Sequence, residues 1–142
     1  MKKLLLFFAT ITSLGVVSCK KASTETLHQV ILPADTAAMV KYNGSLTSGP
    51  SGSVSGQVKI YLKGNQYILS LENFSTTNGP DLKVYISKEM FPVNFIKLGD
   101  LQSTNGNQLY NISGTPDFTI YKYVQIYCEK YDHLFGYALL SE

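Results

Sequence analysis

The chain has 142 residues, the length of one domain with a short leader, and twelve basic residues against ten acidic ones give a formal net charge of +2. All twelve are lysines. Nothing therefore suggests a nucleic-acid or phosphate reader, which would want a basic face and bidentate guanidinium contacts.

The N-terminus reads as a secretory leader. Met1-Lys2-Lys3 is a basic start, and Leu4 to Val17 is an apolar run too short to span a bilayer as a helix. It closes in Val16-Val17-Ser18-Cys19, which resembles a bacterial lipobox with Cys19 as the acylated residue. The expected organisation is a lipoprotein signal peptide over residues 1–18, a lipidated cysteine with flexible linker over 19–37, and one folded domain over 38–142. Lys20 to Thr26 is small and polar, as a tether off a membrane would be. Lys20 beside the lipid cysteine fits outer-membrane sorting, facing the periplasm or the cell surface. Removing Lys2 and Lys3 with the leader leaves ten lysines against ten acids, so the mature domain is neutral. With Cys19 lipidated, Cys128 has no partner for a disulfide within the chain.

A short edge strand is expected at Leu27 to Leu32, and beyond it alternation of period two recurs without a helical stripe. In Val54 to Lys63 the residues Val54, Gly56, Val58, Ile60 and Leu62 share one face. Gly64-Asn65 supplies a two-residue hairpin loop, and Gln66 to Glu72 returns with Tyr67, Leu69 and Leu71 on one face. Further strands are expected at Met39 to Leu46, Leu82 to Ser87, Phe95 to Leu98, Gln108 to Ile112, Val124 to Glu129 and Phe135 to Leu140. Turn clusters separate them, among them Ser48 to Gly52, Thr77 to Pro80, Thr104 to Asn107 and Ser113 to Pro116. Eight or nine short strands in this rhythm predict an all-β fold: an antiparallel sandwich of jelly-roll or immunoglobulin-like kind, or a partly open barrel.

The stretch Val124 to Leu140 carries the one cysteine that the mature domain retains. Alternation puts Val124, Ile126 and Cys128 on one face, so Cys128 is either a small core hydrophobe of low reactivity or, near the strand end, a redox or ligand-binding thiol. His133 follows five residues later in a polar turn. A cupredoxin-like copper site would need a second histidine and an axial methionine; no methionine follows His133, and His28 lies by the linker. A hydrolytic Cys-His pair lacks any readable oxyanion loop, and no acid, base and nucleophile constellation is visible. Asp81, in Gly79-Pro80-Asp81, has good turn chemistry: glycine for positive φ, proline for fixed φ, aspartate to cap backbone N–H groups. The tyrosines, Tyr85, Tyr110, Tyr121, Tyr127, Tyr131 and Tyr137, suit cross-strand packing, and equally a ligand groove or electron relay.

The order of these segments resembles the DM-thirteen domain family, a module found beside DOMON and cytochrome b domains in animal extracellular proteins and alone in many bacteria. The likeness is carried by Ser55-Gly56-Gln57-Val58, by Asn73-Phe74 with Asn78-Gly79-Pro80-Asp81-Leu82-Lys83-Val84-Tyr85-Ile86, and by Leu98-Gly99-Asp100-Leu101. It continues in Gly106 to Ile112, in Tyr123 to Cys128 and in Phe135-Gly136-Tyr137-Ala138, spanning about Val40 to Leu140. The resemblance implies a component of electron transfer whose characteristic cysteine, here Cys128, acts as a naked thiol or holds a prosthetic group such as haem. Tyr131, His133, Tyr137 and Asp81 are its candidate neighbours. With no DOMON or cytochrome module in this chain, an electron partner is a separate envelope redox protein. The alternative is a non-catalytic binding or structural module of the cell envelope, reading a surface ligand, with Cys128 in the core.

Overall fold

The computed structural model describes residues 38–142, so the leader, Cys19, the linker and the edge strand expected at Leu27 to Leu32 lie outside the described residues. Nine strands follow in chain order: β1 (Met39–Ser45), β2 (Thr47–Ser48), β3 (Val54–Lys63), β4 (Gln66–Thr76), β5 (Leu82–Ser87), β6 (Phe95–Asp100), β7 (Asn105–Ile112), β8 (Tyr123–Cys128) and β9 (His133–Leu139). They form two antiparallel sheets, one ordered β1-β3-β4-β7 and the other β2-β9-β8-β5-β6. The fold is thus an all-β, sandwich-like pair of sheets and not a closed barrel.

The β3–β4 hairpin has the expected register, with Val58 opposite Leu71 and Ile60 opposite Leu69 across the Gly64-Asn65 loop. These four side chains are fully buried and pack with Val84, Ile86, Val124, Ile126 and Cys128 from the second sheet in one core. Burying each such aliphatic side chain contributes about 1.5–3 kcal/mol, which is what holds the two sheets face to face.

Two turn readings are corrected. The turn expected over Thr104 to Asn107 is shorter than that: Asn105 to Asn107 open β7, where Asn105 and Gly106 pair with Ser75 and Phe74. The register shifts between Leu71 and Phe74, where Asn73 takes φ 48° and its N–H donates to Asn107 Oδ1 at 2.8 Å. The turn-forming residues serve a bulge here, because a bulge needs the same backbone freedom. Gly79 does not carry a positive φ. Its constraint is space: a Cβ there would stand 2.8 Å from Leu82 Cδ2 and 2.9 Å from Phe135 Cζ.

Phe135 reaches that position through a second irregularity. Ile126 pairs with Gly136 while Tyr127 pairs with Leu134, which leaves Phe135 as the extra residue, turned into the core. The bulge also separates two packing layers. Leu134 joins Tyr85 and Tyr127 in a smaller cluster, against which Tyr137 packs on the outer face of the second sheet. As a result every residue of β5, and all of β8 after Tyr123, is buried.

Candidate functional site

Cys128 ends β8 and stands in the ladder between Leu82 of β5 and His133 of β9. It is 0 % exposed, a free thiol inside the main core with Val124 and Ile126. Neither cavity described below is lined by it. A haem iron needs an open approach to the sulfur, so the residues around Cys128 do not fit haem ligation there. His133 is its ladder partner but is exposed, and its ring lies 6.0 Å from that of Tyr131, also exposed, at the tip of the turn. Among the described residues no group of three or more His, Cys, Asp or Glu side chains is placed to hold a metal ion.

The pleat of β8 sends Tyr127, one residue before Cys128, to the opposite face. There its ring centroid lies 5.7 Å from that of Tyr85, and Tyr85 stacks on Phe95 at 4.3 Å and 19°. Tyr85 stands opposite Gln125, diagonal to Tyr127, a spacing within reach of aromatic side chains. Each phenol donates to a carboxylate from the β8–β9 turn: Tyr85 to Glu129 and Tyr127 to Asp132. Lys97 Nζ meets Glu129 at 2.8 and 3.0 Å. Burial, and then the bond to Asp132, pushes the Tyr127 phenol up to about 12. Burial and Glu129 push Tyr85 the same way, whereas the Lys97 ammonium holds Glu129 below the usual carboxylate range. Both phenols are therefore neutral donors. Tyr85, Pro92, Phe95, Tyr127, Glu129 and Asp132 line a cavity of about 210 Å³.

At the other side of the same strand end lies Asp81. Its carboxylate is 2.6 Å from Lys83 Nζ, which also meets Asp100 at 2.6 Å, so Asp81 forms an ion pair in place of the expected backbone cap. Hydrogen bonds to Asp100 and Asp81 hold the Lys83 ammonium well above its ordinary range. The Asp81 carbonyl accepts the Glu129 N–H at 3.0 Å, which ties this loop to the residue after Cys128. A second cavity, of about 330 Å³, lies between Asn78–Lys83 and Asp100–Thr104.

Of the sequence candidates, Cys128, His133 and Asp81 converge on the end of β8. Tyr137 packs against the outer cluster, with its ring 6.4 Å from that of Tyr123. Sequence reasoning missed Glu129, Asp132, Phe95 and Lys97. Only the alternation about Tyr127 and the acids of the following turn hinted at them.

No curated protein and no solved structure matches the chain. The family model described as Electron transfer DM13 matches residues 45–140, which spans eight of the nine strands whole and the end of β1, so the chain belongs to that electron-transfer family.

Proposed function

We propose that this protein is a lipid-tethered, extracytoplasmic accessory domain in electron transfer, anchored through Cys19, with Cys128 as its redox group and a separate envelope protein as its electron partner. The family match over residues 45–140 supports the electron-transfer part of this reading and is the observation that carries it. Because the enclosed sulfur does not fit haem, the thiol acts without a bound group. A buried thiol meets a partner only when the end of β8 opens; its thiolate then attacks a disulfide of that partner, forming a mixed disulfide and releasing the partner's other sulfur as a thiolate.

A second reading is favoured by one observation, the complete burial of Cys128. In it the domain is a binding or structural module of the envelope and the cysteine fills core.

Film voltammetry of the purified lipidated chain beside Cys128→Ser separates the two. A wave present in the parent and absent from the variant supports the thiol role. Superimposable voltammograms remove Cys128 from electron transfer and leave the binding module. Haemin titration of the same pair should give no Cys128-dependent Soret shift, and such a shift would contradict the enclosed sulfur.

A further inference from the structure

The cavity beside Tyr127 has a composition that neither reading uses. Its walls are the rings of Tyr85, Phe95 and Tyr127, and its polar groups are the carboxylates of Glu129 and Asp132. Glu129 is balanced by Lys97 at 2.8 Å. Among the described residues Asp132 forms no ion pair, so the cavity carries one uncompensated negative charge. Asp132 is also held in place, with φ 58° at the turn and the Tyr127 phenol donating to it. The cavity's remaining apolar lining is Pro92, and Phe95 is 44 % exposed, so part of the wall is open to solvent.

Each feature narrows the occupant. Two carboxylates repel an anion. Among the described residues no third His, Cys, Asp or Glu joins these two carboxylates to hold a metal ion. A neutral apolar guest would desolvate Asp132 without compensating it. A cation with alkyl substituents answers all three, since the aromatic walls attract it electrostatically, the unpaired carboxylate neutralises it, and Pro92 and Phe95 pack on its carbons. We propose that this cavity binds an organic ammonium group, borne by a small quaternary amine or by a lysine side chain of a partner. The site rests on the cavity alone and stands whether or not Cys128 carries electrons.

The test is an NMR titration of the full chain in maltoside micelles with choline, with N-acetyl-lysine methylamide, and with 3,3-dimethylbutan-1-ol, the neutral isostere of choline. Saturable shifts of the Phe95 and Tyr127 ring signals are expected with a cation, and binding of the isostere about tenfold weaker or less. Asp132→Asn keeps an acceptor for Tyr127 and tolerates the positive φ, so it should fold, yet weaken the cations about tenfold and flatten their salt dependence. Phe95→Leu should weaken them while keeping the wall apolar. Tighter binding of choline identifies a small amine as the source, and tighter binding of the lysine derivative identifies a partner's side chain. Equal binding of the isostere, indifference to both substitutions, or no saturable shift at tens of millimolar cation would overturn the proposal.

Discussion

Replacing Cys128 by alanine and by serine measures how thoroughly the thiol is enclosed, and any redox comparison that uses the serine variant depends on the answer. At 0 % exposure, with Val124 and Ile126 in the same core, the sulfur contributes packing and no polar bond. Alanine removes roughly one methylene equivalent and leaves a small void, a cost of about 1–2 kcal/mol. Serine removes the same packing and places a hydroxyl among hydrocarbon, which adds about 1–3 kcal/mol if the hydroxyl stays unpaired. Serine should therefore be the worse of the two by about 1 kcal/mol or more. Urea unfolding reads this directly: at a slope of about 1–3 kcal/mol per molar, a deficit of about 2 kcal/mol lowers the midpoint by about 0.7–2 M. Serine matching or exceeding alanine, or both variants within about 0.5 kcal/mol of the parent, would show a solvated thiol and refute the enclosed placement.

Gly136→Ala should cost about 1–3 kcal/mol by overpacking, because the new Cβ would stand 2.6 Å from Val54 Cβ and 2.9 Å from the Thr47 carbonyl oxygen. A parent-like Tm would mean that β9 is not pressed against β3 there. Gln125 Nε2 donates to the carbonyls of Glu89 and Met90 at 2.9 and 2.6 Å, while its buried Oε1 has no partner. Gln125→Leu removes that orphan acceptor but frees the 88–94 segment, so amide exchange should speed there and stay unchanged in β5 and β8; uniform exchange would contradict the pinning role. The raised phenols set a pH dependence. Because Tyr127 titrates near 12 folded and about 10 unfolded, the unfolded chain releases its proton first, and this stabilisation is whole below about pH 10 and lost as pH climbs toward 12. Tyr127→Phe should accordingly lose stability less steeply than the parent between about pH 9 and 11.5, and parallel curves would refute the shift.

Much of the architecture was legible because half-buried strands announce themselves by alternation. Val54 to Lys63 coincides with β3, and Leu82 to Ser87 with β5. Legibility failed where one residue type serves two geometries. Asn105-Gly106-Asn107 has turn chemistry, but the β4 bulge at Asn73 recruits it into a ladder. Thr47–Ser48 is two residues long, too short for any period. The candidate site was half readable. Alternation placed Cys128 with Val124 and Ile126 correctly, but the same rule assigns Tyr127 and Tyr85 to a solvent face. In fact they are covered, because the 88–94 segment and the side chains of Phe95 and Leu134 supply a second packing layer. That layer is built by residues far apart in sequence, and no local pattern reports it.

The two faces of β8 are coupled through the turn that follows it. Glu129 to Asp132 follows Cys128 directly in the chain, and four contacts hold it. Tyr85 and Lys97 fasten Glu129, Tyr127 fastens Asp132, and the Asp81 carbonyl takes the Glu129 N–H. None of these side chains belongs to the main core that contains the thiol, yet together they fix the turn that follows it. A cation entering the outer cavity would pair with Asp132 and compete with the Tyr127 phenol for it. Occupancy of the ammonium site and the hold on this turn thereby draw on the same carboxylate. Substitutions at Glu129 and Asp132 belong beside Cys128→Ser in any study of the thiol, because they loosen the turn that follows it without altering its sulfur.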